Sequence, residues 1–268
     1  MLSGFAIGAS MTVPGISGGT MAMVIGIYDK LITAVSRLFS EPKKHIPFLL
    51  RFAAGAAMGA VLVARVISIL LETPAGIPLR FAFFGAVAGG IPFILRKSGM
   101  KKPSAGAFAL ILAGLAAAML IGLIPKGAFS PAQGTQGASL GTAAIQLLGG
   151  VLIAAALVLP GISASHMMLV LGIYESVMEK VSSLDILSLA PLAIGLAAGT
   201  FLCARLLERL MERHGKGCCL VITGFMLGSL WELLPLEADF VQWIIGTVCA
   251  AAGFIGCTAV FGSATVPD

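Results

Sequence analysis

Two stretches of the chain carry residues that could do chemistry. Thr12 to Lys30 reads TVPGISGGTMAMVIGIYDK, and Val158 to Ser176 reads VLPGISASHMMLVLGIYES. In the first, Pro14 ends an incoming helix, while Gly15, Gly18 and Gly19 let backbone approach a ligand closely. Ser17 and Thr20 can cap an outgoing helix, whose free N–H groups carry partial positive charge and suit a phosphate. The same residues would also serve a plain turn with hydroxyl caps and nothing bound. In the second stretch Ala164, Ser165 and His166 replace Gly18, Gly19 and Thr20, so its donors are Ser163, Ser165 and His166. His166 can donate to a phosphate, titrate, or act as a simple cap.

Charges deep in apolar sequence are the second signal. Arg65 and Arg205 each lie within or at the edge of an apolar run, and a mid-membrane arginine costs at least ~2.5 kcal/mol. Either can contact a phosphate or snorkel to the interface, and Arg51 reads as an interface anchor. Asp29 and Glu175 lie about three helical turns beyond the glycine- and serine-bearing tips of the two stretches and can pair with a cation or carry a coupling proton. Tyr28 and Tyr174 are the only tyrosines, both in GIY, and suit an interfacial belt. The cysteines, Cys203, Cys218, Cys219, Cys249 and Cys257, lack metal-ligand spacing and read as packing residues. No cofactor is implied.

The elements that must position these residues are membrane helices. The chain is 58% hydrophobic and 11% charged with a mean hydropathy of +1.03, where a soluble domain carries about 25% charged residues. No run of alternating ~10-residue segments suggests a barrel, so the class is all-α. A net charge of +5, confined to short loops, does not argue for nucleic acid. No basic stretch precedes the first apolar run, so a cleaved signal peptide is not expected.

The chain is written twice. At an offset of 146, Pro14, Gly15, Ile16, Ser17, Met21, Val24, Gly26, Ile27 and Tyr28 match Pro160, Gly161, Ile162, Ser163, Met167, Val170, Gly172, Ile173 and Tyr174. AAGAAMGAVLVAR at 53–65 matches AIGLAAGTFLCAR at 193–205, and Gly85 and Gly89 match Gly224 and Gly228. The expected units are 1–126 and 142–268, joined by an extracytoplasmic linker at 127–141, together one membrane domain. Apolar segments fall at 2–13, 20–36, 46–71, 79–95 and 105–125, then at 142–159, 166–183, 186–204, 217–235 and 240–262. The first is too short to cross a ~30 Å core, reaching only ~18 Å. Each copy is therefore expected to hold one re-entrant helical hairpin, with the PGIS motif at its tip, and three transmembrane helices. Three crossings per copy make the repeats inverted. Segment 142–159 is long enough to span if untilted, and a crossing there would undo that parity. The Gly55/Gly59 and Gly195/Gly199 spacings read as close helix packing.

Charge supports the inversion. With Lys43, Lys44 and His45 cytoplasmic, the same side receives Arg96, Lys97, Lys101, Lys102, Arg205, Arg209, Arg213, His214 and Lys216. The other receives Glu72, Arg80, Lys126, Lys180, Asp185, Glu232, Glu237 and Asp239. This positive-inside pattern puts both termini in the cytoplasm. Inverted repeats with broken helices point to a transporter whose site lies near the midplane.

Val13 to Thr20 with Gly26 to Tyr28, and Leu159 to Ser165 with Gly172 to Tyr174, make the chain resemble the PopT-type undecaprenyl phosphate translocases over nearly its whole length. That family carries VPGxSGGT with GIY, then a degenerate PGISGS with GxY. The resemblance implies a flippase of the bacterial cytoplasmic membrane that returns undecaprenyl phosphate, or a related polyprenyl phosphate, to the inner leaflet for cell-envelope synthesis. SASH at 163–166 departs from the family's usual Gly-Ser and apolar residue.

Two other readings compete. A transporter of a small anion or ion would use the same tips. A lipid-phosphate phosphatase is suggested by the spacing of Lys44 and Arg51 and by SASH, but Phe52 stands where proline should follow. No arginine with downstream His and Asp completes a phosphohistidine site, so an enzyme is not expected.

Overall fold

Long apolar stretches without water to satisfy their backbone must close their hydrogen bonds internally, and helices do so. The computed structural model describes residues 1–11, 17–71, 73–100, 104–129, 140–183, 185 and 187–262. Among these, all regular structure is helical. The first half contributes α1 (Leu2–Ser10), α2 (Gly18–Val24), α3 (Tyr28–Ser36), α4 (Pro42–Leu71), α5 (Gly76–Lys97) and α6 (Ala105–Gly122). The second contributes α7 (Leu140–Val158), α8 (Ala164–Val170), α9 (Tyr174–Ser182), α10 (Ala190–Leu233) and α11 (Phe240–Gly262). Among the described residues, five helical stretches are long and apolar enough to cross a membrane: Pro42–Val63, Gly76–Lys97, Ala105–Gly122, Leu187–Leu233 and Phe240–Ala259. The chain is a multi-pass membrane protein, and its outward faces on α4, α6 and α11 present large apolar side chains such as Val61, Leu120 and Val248.

The segments expected at 186–204 and 217–235 are one helix by hydrogen bonding. α10 leaves helical geometry only at His214 (φ −133°, ψ 41°), which divides it into arms at 190–213 and 215–233. With α10 counted as two arms, the order of short and long helices recurs in the two halves. One difference stands out: α1 has 9 residues and reaches ~14 Å, whereas α7 has 19 and reaches ~28 Å.

The matched glycines are where helices touch backbone to backbone. A side chain at Gly55 or Gly59 would overlap the carbonyls of Met1 or Phe5, locking α4 onto α1. A Cβ on Gly195 would overlap the Leu147 carbonyl and one on Gly199 would lie 2.8 Å from Val151 Cα, so the first arm of α10 packs on α7 in the same way. The third glycine pair crosses between halves. Gly85 abuts Ala250 and Gly89 abuts Phe254 of α11, while Gly224 abuts Ile111 and Gly228 abuts Ala118 of α6. Each half's last helix therefore packs on the penultimate helix of the other.

The segments expected as single helices at 20–36 and 166–183 are each cut in two. Gly26 (φ 77°) and Gly172 (φ 65°) take the left-handed conformation. Gly26 N–H donates to Met23 and Ile27 N–H to Ala22; Gly172 N–H donates to Leu169 and Ile173 N–H to Met168. This bonding ends a helix at a left-handed glycine, so GIY is a helix stop followed by a new start at tyrosine.

Candidate functional site

The two glycine-rich tips meet inside the bundle. Residues 12–16 of the first tip lie outside the described residues; the second tip is described throughout. α2 begins at Ser17, whose extended backbone (φ −85°, ψ 135°) makes it the N-cap and whose carbonyl accepts from Met21 N–H at 3.0 Å. All seven residues of α2 are buried. Thr20 Oγ1 accepts from Gly161 N–H at 2.8 Å, joining residues 141 positions apart. A Cβ on Gly19 would lie 3.1 Å from Pro160 N, so the tips are in direct contact there. Gly161 sits at φ 86°, and any side chain on it would overlap the Phe225 carbonyl of α10.

A second bond runs alongside. Tyr28 is 3% exposed, not interfacial as expected, and its hydroxyl donates to the Val158 carbonyl at 2.8 Å. Val158 ends α7, where carbonyls have no partner within the helix, so the tyrosine supplies one. Tyr28 packs with Met21, Val24, Ile94 and Met226 in the main core.

Chemically the tips are unequal. Ser163 caps α8, its Oγ accepting from His166 N–H at 3.3 Å. Ser17 holds the matching position but its side chain makes no cap bond, and its Oγ is buried without a hydrogen-bond partner among the described residues. His166 Nε2 is likewise buried and unpartnered. Ser165 is exposed. A buried hydroxyl without a partner is costly, and Ser17 Oγ is such a group among the described residues. Thr20, expected to touch the ligand, also joins the tips, its oxygen accepting from Gly161 N–H while its hydroxyl proton stays available to donate.

The remaining predicted residues lie elsewhere. Arg65 is on α4, and its side chain is outside what the structure describes. Arg205 is exposed, 5.9 Å from the Phe201 ring, in a cleft of about 330 Å³ with Arg37, Glu208, Arg209 and Glu212. Asp29 pairs with Lys97 at the end of α5, which is the charge-pairing alternative for this acid. Glu175 is exposed in the first turn of α9. The cysteines are free thiols, and no cluster of metal-ligating groups occurs among the described residues.

The motif-bearing helices end at different places. α3 leads to Arg37, whose guanidinium binds Glu208 and Glu212 at 2.8 Å each, just before the break in α10. α8 ends where Leu169 and Val170 accept from Gly127 and Phe129 N–H, just beyond α6. The start of α6 borders the break in α10, so the two motifs terminate near opposite ends of a helix ~27 Å long.

Sequence reasoning missed the role of Tyr28 and the helix stops at Gly26 and Gly172. The stops had a signal, glycine directly after an apolar helical run; the Tyr28 partner had none.

A family described as undecaprenyl phosphate translocase-like matches residues 7–247. A polyprenyl-phosphate transporter of Staphylococcus aureus (strain NCTC 8325 / PS 47) is 31% identical over 266 residues, covering 95% of this chain and 93% of the relative. A polyprenyl-phosphate transporter of Vibrio cholerae serotype O1 (strain ATCC 39315 / El Tor Inaba N16961) is 30% identical over 260 residues, covering 92% and 80%. No solved structure matches the chain.

Proposed function

The chain belongs to the undecaprenyl phosphate translocase-like family, and from that premise we propose that it moves undecaprenyl phosphate across the bacterial cytoplasmic membrane, returning the carrier lipid for reuse. The observation that carries this reading is the buried Ser17 hydroxyl, without a partner among the described residues, at a tip held against its counterpart by Thr20 and Gly161. A lipid phosphate needs hydrogen-bond donors at depth and an opening for its tail. Ser17, with the backbone of Gly18 and Gly19, supplies donors from one tip; Ser163, Ser165 and His166 supply them from the other. Arg65 and Arg205 contribute positive charge along the headgroup's path.

The two units act as inverted repeats, with both termini cytoplasmic. Support comes from α3 and α8, whose ends lie near opposite ends of α6, and from charge. Asp29–Lys97 and Arg37–Glu208 fall on the basic side, and Arg80–Glu237 on the other. Inverted tips offer the headgroup an approach from either leaflet. Asp29, held by Lys97, acts as a charge partner, which leaves Glu175 as the exposed carboxylate available to a coupling proton.

The test is flux of a long-chain polyprenyl phosphate in vesicles reconstituted with the full chain. Ser17→Ala should slow flux about tenfold, the effect of one lost hydrogen bond to a charged group. Unchanged flux sinks the site. Inorganic phosphate should compete poorly; strong competition would favour a small-anion transporter. Phosphate release from the lipid, abolished by His166→Ala, would favour a phosphatase. Flux indifferent to a pH gradient would remove proton coupling.

A further inference from the structure

The break in α10 opens a second concavity away from the tips, about 420 Å³ in volume, between the start of α6 and residues 213–217. Arg213, His214 and Lys216 line it, and no carboxylate does. All three side chains are exposed, and none forms an ion pair among the described residues. The contrast is one turn earlier on the same helix, where Glu208 and Glu212 neutralise Arg37 and that cleft carries its own counter-ions.

Its glycines differ from those of the helix contacts. Gly59, Gly195 and Gly224 are glycine because a neighbouring backbone leaves no room for a Cβ. Gly106 and Gly215 line the concavity with nothing within 4 Å of where a Cβ would stand, and Gly217 has only Leu110 Cδ1 at 3.8 Å. None has a left-handed φ. Glycine weakens a helix, so three without a packing or backbone reason cost helix stability and leave open space beside Arg213, His214 and Lys216. Cations that merely anchor a helix at the interface require no such space.

We propose that this concavity is a binding site for a phosphate monoester, with Arg213 and Lys216 on its oxygens. Ala107, Leu220 and the 39% exposed Leu110 complete the lining, an apolar surface on which a lipid tail would lie. The chemistry is shared by a lipid headgroup and free phosphate, and the apolar rim favours the lipid. The site does not depend on what the tips carry.

The experiment titrates the purified full chain in detergent with dioleoyl phosphatidic acid and counts bound lipid by native mass spectrometry. Removing both charges, Arg213→Gln with Lys216→Gln, should weaken one bound phosphatidic acid at least about tenfold. Gly106→Leu, which fills the space and leaves every charge, should do the same. Ser17→Ala should leave this lipid in place, which separates the site from the one between the tips. Competition by inorganic phosphate identifies free phosphate as the ligand, and its failure to compete identifies the headgroup. Equal retention by the charge variant and by Gly106→Leu, or equal binding of dioleoyl phosphatidylcholine, overturns the proposal.

Discussion

Tyr28 donates its hydroxyl proton to the carbonyl of Val158, 2.8 Å away, across 130 residues of chain and between the two halves. The bond satisfies the open carbonyl end of α7 from outside that helix and fixes the start of α3 against it.

Tyr28→Phe keeps the ring and removes the donor, leaving a buried carbonyl unpartnered. It should lower unfolding stability in detergent by about 1–3 kcal/mol. Tyr174→Phe, on a half-buried ring, should stay within about 0.5 kcal/mol. Equal losses at both positions would mean that the Val158 bond contributes nothing particular.

Thr20→Val removes the acceptor of the Gly161 N–H at nearly constant volume. It should destabilise the chain by about 1–3 kcal/mol and slow lipid-phosphate flux, while Thr20→Ser keeps both. If Val and Ser variants transport alike, contact between the tips does not matter to transport.

Gly224→Ala places a methyl group against the Ile111 carbonyl and should cost roughly 1–3 kcal/mol or prevent folding. Gly256→Ala, on α11 with nothing within 4 Å, should be neutral or stabilising by up to about 1 kcal/mol. Thermal unfolding of the two variants distinguishes them, and a benign Gly224→Ala would contradict the close crossing of α6 and α10.

Single cysteines at Lys44, Lys97 and Lys216, in a chain lacking its own five, should react with a membrane-impermeant maleimide from one face of oriented vesicles. One at Glu237 should react only from the other. Labelling of Lys97 and Glu237 from the same face would refute the two-sided charge arrangement.

Much of the fold was legible because it is written in short-range signals. Composition requires membrane helices, and glycines at Gly55, Gly59, Gly195 and Gly199 mark crossings where only a missing side chain lets backbones touch. Gly85, Gly89, Gly224 and Gly228 were legible as a matched set, but not as contacts that join each half to the other's last helix. The GIY motif was read as part of a continuous helix because its apolar residues continue the pattern; the left-handed φ at Gly26 and Gly172 interrupts it.

The sequence by itself determined that this chain lives in a membrane and carries the PGIS and GIY strings twice, each with a helix-capping serine. Those properties follow from residue type and local spacing. Only the tertiary structure decided that Thr20 faces Gly161, that Ser163 satisfies its own helix while Ser17 is left unpartnered, and that Tyr28 is buried while Tyr174 is not. The two motifs are nearly the same string, but burial and hydrogen-bond partners belong to the surroundings. Those surroundings come from helices more than a hundred residues away, which no local pattern records.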